Sequence, residues 1–413
     1  MTEGNRSAPQ VIRAKIGLPQ SPPDVVSRPR LSDRIEKAGA GVVMISAPAG
    51  SGKSVLVVDW LNRTGRRAAW LSLDGLDNDP ARFFLHFAAA LRSVGTPPFQ
   101  EAAAASEGIG RNGGDPGIAL LPALEEAGRD EVIVLDDLHT LEAPTVLEFV
   151  QDLFRRIQAG PRRVFLTRTD PPLPLSRLRL SGGLLEIRQR DLRFRQEEAR
   201  ELLGRAFPAE LGPDLLQRLQ ARTEGWAAGL RMATVALQRA DDPEAAAEAF
   251  AGSHELMVDY LLEETLGGLE EPIRTFLMET SVLPRFTVEG CLAVTDDPAA
   301  GEHLRAVEAE NLFLIPLDDG DRWYRYHHLF REFMAFRLET NHPDRVDELH
   351  RRASRWFEGQ GDVQEALAQA ASMDDSLELV ALLDRHGYDI LARSEFASFA
   401  RWLPHLPRPL EQR

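Results

Sequence analysis

Eight residues near the start of the chain constrain its fold more than any other segment. The run Ala47-Pro-Ala-Gly-Ser-Gly-Lys-Ser54 follows directly after the apolar, β-branched segment Val42–Ser46. It matches the phosphate-loop pattern, with alanine at the first glycine position. Gly50 and Gly52 allow turns that aim successive backbone N–H groups at an anion, and a helix that follows would add its positive end. The segment therefore predicts a strand, a phosphate-binding loop and a helix.

The side chains of this loop predict a nucleotide site. Lys53 would neutralise the terminal phosphates, and Ser54 would offer its hydroxyl to Mg²⁺. The predicted cofactors are therefore ATP or ADP with Mg²⁺. The alternative is a glycine turn followed by a solvent-exposed lysine. Further nucleotide contacts are expected from the rest of the loop and the first turn of the helix: Ala49, Gly50, Ser51, Gly52 and Val55.

A second motif supplies acidic groups. Val132-Ile-Val-Leu-Asp-Asp137 is an apolar strand that ends in two carboxylates. Asp136 is the candidate Mg²⁺ ligand, directly or through water, and Asp137 is the candidate base that orients the attacking water. Because an aspartate is one methylene shorter than a glutamate, slow hydrolysis would follow. The alternative is that the two acids only cap the end of a buried strand.

Five short apolar runs alternate with helical stretches, which is typical of a parallel sheet covered on both faces. The run Ala68–Leu73 lies between the loop and the acidic strand, so the fold class predicted is an α/β phosphate-loop NTPase with an additional strand. The stretch from Gly95 to Pro116 is rich in Ala, Gly and Pro and predicts a surface loop. The predicted strands are Val42–Ser46, Ala68–Leu73, Val132–Leu135, Arg163–Thr167 and Leu184–Ile187.

Arg168 follows the fourth predicted strand, in Thr167-Arg-Thr-Asp-Pro-Pro. Ligands of open α/β sheets collect at the carboxyl ends of the strands. Arg168 is therefore the candidate sensor of the terminal phosphate. The alternative is a surface arginine that pairs with a nearby acid.

The pattern changes along the chain in a way that predicts five segments. Residues 1–24, rich in Pro, Ser and Gln, form a flexible leader. Residues 25–195 form the nucleotide-binding domain, and 196–270 form a helical domain. Residues 271–345 combine helices with a hairpin around an Asp-Gly turn, which describes a winged helix. Residues 346–413 resemble the first pair of a helical array of the tetratricopeptide type.

Charge and composition exclude several classes of protein. With 64 acidic and 48 basic residues the net charge is -16, which argues against a chain that coats nucleic acid through a general basic field. Cys291 is the single cysteine and cannot form an internal disulfide. The sequence has neither a secretory signal nor an apolar run of the roughly 20 residues that cross a bilayer. A soluble, cytoplasmic protein without a membrane partner is expected.

In combination, these motifs resemble the signal-transducing ATPases with numerous domains (STAND), and among them the large bacterial regulators similar to the maltose-regulon activator. The resemblance covers about residues 25 to 413. The motifs that carry it are Arg28-Pro-Arg-Leu, Ala47–Ser54, Val132–His139, Thr167-Arg168, Asp191-Leu-Arg-Phe, Thr223-Glu-Gly-Trp-Ala-Ala-Gly-Leu and Tyr326-His-His-Leu-Phe-Arg-Glu-Phe. Many NTPases share the glycine-rich loop and the acidic strand, whereas the last three motifs together are far more specific.

The resemblance also implies site residues outside the sheet. Val26 and Arg30 would lie near the adenine, and Gly225 and Trp226 would begin the helix beside the base. His327 would match the winged-helix histidine that contacts the β-phosphate of ADP, although the spacing does not choose between His327 and His328. The alternative is that both are partly buried residues at a strand-to-helix junction.

The function that follows is a switch. The resemblance implies an ADP-bound resting state, slow turnover, and self-association once ATP and an unknown inducer or regulatory protein are bound. DNA would be contacted only through a carboxyl-terminal domain that these 413 residues do not contain. Two alternatives stay open. One is a continuously cycling remodelling ATPase, and the other is a STAND defence or scaffold protein with a different effector.

Overall fold

The computed structural model describes most residues of the chain. They are 11–22, 25–111, 115–155, 160–206, 212–240, 242–250, 252, 254–317, 323–392 and 402–406. Contacts between residues divide the chain into two units. The first comprises Met1–Gln220 and Gly225–Thr234, and the second comprises Ala221–Glu224 and Val235–Arg413. The predicted helical domain 196–270 is therefore divided between the two units.

The first unit is built on a five-stranded parallel sheet whose strand order is β2-β3-β4-β1-β5. The strand β4 lies between β1 and β3, so the phosphate-loop strand and the acidic strand are not neighbours. Parallel pairing brings the carboxyl ends of all five strands to one edge. The strands are β1 (Val42–Ser46), β2 (Arg67–Ser72), β3 (Glu131–Asp136), β4 (Arg162–Thr167) and β5 (Leu184–Arg188).

Helices cover both faces of this sheet. Alternate residues of β1 point to opposite faces, as strand geometry requires. Val42 and Met44 pack with α3 to α6, whereas Val43 and Ile45 pack with α1 and α2. The helices of this unit, with α10 and α11 extending into the second, are α1 (Pro29–Lys37), α2 (Lys53–Thr64), α3 (Pro80–Val94), α4 (Pro97–Arg111), α5 (Pro116–Glu125), α6 (Pro144–Arg155), α7 (Ser176–Leu180), α8 (Gln189–Leu192), α9 (Gln196–Ala206), α10 (Pro213–Thr223) and α11 (Ala227–Arg239).

The prediction of a surface loop from Gly95 to Pro116 is wrong for most of that stretch. Helix α4 occupies Pro97–Arg111 and buries Phe99, Ala102 and Ala103 completely. The glycine and proline that suggested a loop lie at helix ends. Gly95 closes α3 with a φ of 78°, and Pro97 begins α4. Alanines between them favour a helix.

Part of the predicted flexible leader has a defined place in the first unit. Residues Arg13–Lys15 form a short 3-10 turn in which Lys15 is buried against the carboxylates of Asp74 and Asp77. The N–H of Ile12 donates to Nε2 of His86 at 3.2 Å. The structure thus differs from the expectation, because two ion pairs of Lys15 and the hydrogen bond from the N–H of Ile12 hold this segment. Residues 1–10 lie outside the described residues.

The second unit consists of helices and one hairpin. Strand β6 (Leu314–Pro316) pairs antiparallel with β7 (Tyr324–Tyr326), and the predicted Asp-Gly turn between them, at 318–322, lies outside the described residues. The hydroxyl groups of Tyr326 and Thr280 are 2.8 Å apart in the core. Three helices (α14 to α16), this hairpin and α17 are the secondary-structure elements expected of a winged helix. The helices are α12 (Pro243–Ala249), α13 (Glu255–Leu261), a π-helical turn (Leu262–Leu266), α14 (Glu271–Thr280), α15 (Val288–Thr295), α16 (Ala300–Ala309), α17 (His328–Asn341), α18 (Pro343–Gly359), α19 (Val363–Ala371) and α20 (Leu377–Ala392).

Among the described residues, every helix is too short or too polar to cross a bilayer.

Replacement of Gly225 tests how closely the backbone after α10 approaches the backbone of Phe194. Gly225 has a φ of 73°, and an added Cβ would lie 2.5 Å from the carbonyl oxygen of Phe194. We expect Gly225→Ala to lower the free energy of unfolding by about 3 kcal/mol or more, through left-handed strain and a backbone clash. Thermal unfolding measures the change.

Gly95→Ala is the matched control for Gly225→Ala. Gly95 has a φ of 78° in the same unit, but an added Cβ meets nothing within 4 Å. Its expected loss is about 1 kcal/mol, from left-handed strain alone. Equal losses in the two variants would contradict the close approach of Phe194.

Candidate nucleotide-binding site

The loop between β1 and α2 has the backbone that a phosphate site requires. Gly50 and Gly52 have φ values of 67° and 78°, which L side chains rarely adopt. Helix α2 begins at Lys53, so its first N–H groups, which have no acceptors within the helix, face the loop. These groups and the positive end of the helix make the loop attractive to an anion.

The ammonium group of Lys53 lies within the loop. The side chain is buried, and Nζ donates to the carbonyl oxygens of Ala47 at 2.8 Å and Pro48 at 3.1 Å. The hydroxyl of Ser51 also donates to Pro48, at 2.9 Å. A buried cation is thus held at the carboxyl end of β1, where the loop turns.

Ser54 and Asp136 meet across the sheet edge. The hydroxyl of Ser54 donates to Oδ2 of Asp136 at 2.8 Å, although 82 residues separate them. Asp136 is buried, and burial raises its pKa to about 6, with the charge of Asp137 acting in the same direction. A hydroxyl and a carboxylate oxygen are a donor set that suits Mg²⁺. The residues predicted to hold the metal are therefore adjacent and fit it.

Asp137 has an unusual backbone. Its φ is 57°, in the left-handed region, and its N–H donates to Oδ1 of Asp136 at 3.0 Å. Such a conformation costs a non-glycine residue of order 1–3 kcal/mol and is often found at functional sites. It turns the chain directly after β3, so that the carboxylate of Asp137 is 41% exposed beside the buried one of Asp136.

His139 and Arg168 contribute charge or hydrogen-bonding groups nearby. Nδ1 of His139 lies 3.9 Å from Oδ1 of Asp137. Burial lowers the pKa of His139 to about 4. Arg168 and Lys53 are close enough to act in the same direction, and Asp137 opposes them. Arg168, half-buried after β4, thus lies within electrostatic reach of His139.

Arg28 and Trp226 hold the loop from outside. The guanidinium of Arg28 donates to the carbonyl oxygens of Gly52 at 2.9 Å and Leu192 at 3.0 Å, and burial lowers its pKa to about 10. The indole N–H of Trp226 donates to the carbonyl of Ala49 at 3.1 Å. Both ends of the loop are therefore fixed by side chains from distant parts of the sequence.

The two residues expected near the adenine have different surroundings. Val26 is buried in a small apolar cluster with Phe194 and Leu230. Arg30 forms a two-bond ion pair with Glu198, at 2.8 and 3.0 Å, and donates to nearby carbonyls of the α8–α9 turn. Arg28, rather than Arg30, contacts the loop. Of the other predicted contacts, Ala49 and Ser51 are buried in the loop, and Val55 is half-buried in the first turn of α2.

His327 belongs to the second unit, so its predicted contact with the β-phosphate stays a prediction. Its ring is buried, and Nε2 donates to the carbonyl oxygen of Thr223 at 2.9 Å. The neighbouring His328 is more exposed and pairs with Glu332 at 3.1 Å. Of the two histidines, His327 is therefore the more deeply buried.

A further ion pair stabilises the same part of the second unit. Arg325 donates to both carboxylate oxygens of Glu224, at 2.7 and 2.9 Å, and the N–H of His328 donates to one of them at 3.0 Å. Although burial opposes it, hydrogen bonding to Arg325 lowers the pKa of Glu224 to about 2. Glu224 has a φ of 48°, so a strained residue carries this anchor.

Sequence reasoning missed Arg28, His139 and the Glu224–Arg325 pair as functional candidates. Their motifs were visible in the sequence. However, only the fold shows that Arg28 contacts Gly52, that His139 lies beside Asp137, and that Glu224 meets Arg325.

Known proteins are similar to this chain over most of its length. Residues 262–346 match the MalT winged helix domain. The chain is 30% identical to the serine/threonine-protein kinase PknK of Mycobacterium tuberculosis, over 93% of this chain and 35% of that protein. It is 29% identical to the HTH-type transcriptional regulator MalT of Klebsiella pneumoniae, over 96% of this chain and 44% of that protein.

The chain resembles the regulator MalT. The resemblance to regulators similar to the maltose-regulon activator, predicted from the sequence motifs, is confirmed, and the winged helix predicted at 271–345 falls within the matched segment. The chain spans less than half the length of these curated relatives.

A solved structure has a similar fold. The Walker-type ATPase PABY2304 of Pyrococcus abyssi superposes with a TM-score of 0.52 and 15% identity, over 75% of this chain and 96% of that one. The predicted phosphate-loop NTPase fold with an additional strand is confirmed.

The raised pKa of Asp136 predicts a pH-dependent stability. The folded state binds this proton more tightly than the unfolded chain, in which the pKa is about 3.9. The stability that protonation contributes is complete below about pH 4 and is lost as the pH rises through about 6. Asp136→Asn removes this titration. In nucleotide-free protein we therefore expect its stability relative to wild type to increase by about 2 kcal/mol between pH 4 and pH 7.5.

Calorimetric unfolding at the two pH values measures this difference. Asp33→Asn, at an exposed carboxylate of the same unit, tests whether the effect requires burial. A stability difference between Asp136→Asn and wild type that does not change with pH would show that Asp136 is ionised as easily in the fold as outside it.

Proposed function

We propose that this chain is the nucleotide-dependent switch of a bacterial transcriptional regulator, and that it binds ADP or ATP with Mg²⁺ on the loop Ala47–Ser54. The observation that carries the proposal is the contact between Ser54 and Asp136 beside the buried ammonium of Lys53. A cation, a hydroxyl and a buried acid from separate segments converge at the one edge of the sheet where a polyphosphate is expected.

Each group has a definite task in binding. Backbone N–H groups of the loop and the first turn of α2 would bind phosphate oxygens. Lys53 would exchange its two carbonyl acceptors, in Ala47 and Pro48, for the terminal phosphates. Ser54 and Asp136 would hold Mg²⁺, which neutralises charge on the phosphates when bound. Because the charged form of Asp136 is disfavoured by burial, the arrival of the cation relieves an electrostatic cost.

Hydrolysis would use the exposed acid. Asp137 would accept a hydrogen bond from the water whose oxygen attacks the γ-phosphorus. The bond from that phosphorus to the β–γ bridging oxygen breaks, and ADP leaves with that electron pair. The water proton passes to the carboxylate or to phosphate oxygen. An aspartate reaches less far than a glutamate, so we infer slow turnover, which suits a switch that must keep one nucleotide state for a long time.

The relatives support a regulatory role. MalT is named a transcriptional regulator, and its similarity extends through both units of this chain. We infer that ATP and an unknown inducer or regulatory protein favour self-association, and that DNA is contacted by a domain outside these residues. The sequence resemblance further suggests that His327 favours the ADP state, and this role stays a prediction from the sequence.

A second candidate is a switch that serves another effector. A protein named a serine/threonine-protein kinase matches 93% of this chain, yet the match covers only 35% of that protein. The shared region is therefore joined to different remaining sequences in these two longer proteins. The sequence that adjoins this chain distinguishes a DNA-binding effector from any other.

A remodelling ATPase would behave differently from a switch. It turns over continuously, whereas a switch stops after binding or after a single hydrolysis. Steady-state phosphate release without an inducer separates the two. A rate of many turnovers per minute would exclude the resting switch.

Replacement of Lys53 tests the site directly. We expect Lys53→Ala to weaken Mg-ADP binding about 100-fold, since a charge-assisted contact with phosphate contributes up to about 3 kcal/mol. Isothermal titration calorimetry on protein freed of nucleotide measures the change.

Lys37→Ala is the control for Lys53→Ala. Lys37 is an exposed lysine of α1 in the same unit, and it pairs with Asp33 on the helix surface. Its replacement removes the same charge from the chain but should leave binding unchanged. Unchanged affinity in folded Lys53→Ala protein would remove the site assignment.

A further inference from the structure

His139 is a half-buried polar residue beside the acidic pair, and the proposed function gives it no role. Its side chain is 19% exposed, and Nδ1 lies 3.9 Å from Oδ1 of Asp137. Within the described part of the chain, Nδ1 is buried and makes no hydrogen bond. A buried ring nitrogen is costly when it is not hydrogen-bonded, so its position requires a reason.

The backbone around His139 is fixed on both sides. The N–H and the hydroxyl of Thr140 both donate to the carbonyl oxygen of Asp137, at 3.1 and 2.9 Å. Leu138 is buried, and the side chain of Asn78 donates to the carbonyl oxygen of Thr140 at 2.9 Å. The turn that carries Asp137 and His139 is therefore held by its own hydrogen bonds.

The electrostatic surroundings keep the ring neutral. Burial lowers the pKa of His139 to about 4, with Arg168 and Lys53 in support. A neutral imidazole has one N–H to donate. Such a donor can orient a carboxylate without neutralising it, whereas an imidazolium would form an ion pair and make the carboxylate a weaker base.

Asp137 needs such a partner. Its side chain is 41% exposed, so it has rotational freedom that a water-orienting base must lose. Asp136 cannot supply a donor once it holds a metal. Among the neighbours that the structure describes around Asp137, His139 is close enough and has the right chemistry.

We propose that His139 is the positioning residue of Asp137, and that Nδ1–H donates to Oδ1 once nucleotide occupies the loop. The other oxygen of Asp137 then faces the attacking water. This inference rests on the proposed function, because it gives Asp137 the role of base. His139 acts through Asp137 and touches neither the phosphates nor the metal.

Two isosteric variants separate the ring nitrogens. In His139→Asn the amide nitrogen lies at the same covalent distance from Cβ as Nδ1, and in His139→Gln it lies at that of Nε2. We expect His139→Ala and His139→Gln to reduce kcat for ATP about tenfold, and His139→Asn to recover most of that loss. Affinity for Mg-ADP should change less than about twofold in all three.

A double-mutant cycle tests whether His139 acts through Asp137. In an Asp137→Asn background, His139→Ala should cause no further loss of kcat, because the group that it positions is already gone. Additive losses would overturn the proposal. Recovery by glutamine but not asparagine would also overturn it, as would Mg-ADP affinity that falls as much as kcat.

Nitrogen-15 NMR of labelled histidine provides a readout that does not depend on turnover. In the wild-type complex with Mg-ADP, we expect the proton of His139 on Nδ1, and we expect Asp137→Ala to abolish that preference. A proton on Nε2 in the wild-type complex would overturn the proposal. Failure of wild type to bind Mg-ADP would instead remove the proposed function, so the two failures are distinguishable.

Discussion

The hydrogen bond between Ser54 and Asp136 is the contact on which the rest of the site depends. It joins the first turn of α2 to the end of β3, although β4 lies between β1 and β3 in the sheet. Parallel pairing makes this possible, because all strands present their carboxyl ends at one edge. The same arrangement buries Asp136 and raises its pKa to about 6, a cost that a bound cation would offset. Burial thus disfavours the charged form of Asp136 in the fold.

Much of the first unit could be predicted from the sequence. Each predicted strand appears within a residue or two of its expected bounds, because β-branched runs between helices have few other solutions. The phosphate loop and the acidic pair were found for a similar reason, since their chemistry allows few residue types. Where composition alone was used, the prediction failed. The Ala-rich residues after Gly95 form a helix. Lys15 forms a buried ion pair with Asp77, although it lies in a segment that was expected to be flexible.

Long-range partners could not be predicted in this way. Nothing in the sequence Arg28-Pro-Arg30 indicates which arginine contacts Gly52. The structure separates them, because Arg30 pairs with the carboxylate of Glu198, whereas Arg28 donates to the carbonyl oxygens of Gly52 and Leu192. The burial of His327 and the ion pair of Arg325 with Glu224 likewise depend on residues about a hundred positions away. Such pairings are set by packing, and local pattern does not contain them.

The account requires that backbone N–H groups, Lys53 and the metal pair Ser54 and Asp136 bind one polyphosphate together. Calorimetric titration of folded protein, shown beforehand to be free of nucleotide, tests this most directly when ADP is added with and without Mg²⁺. The account predicts saturable binding of one nucleotide per chain, and clearly weaker binding when the metal is removed. The absence of any binding heat with Mg-ADP and with Mg-ATP would contradict it.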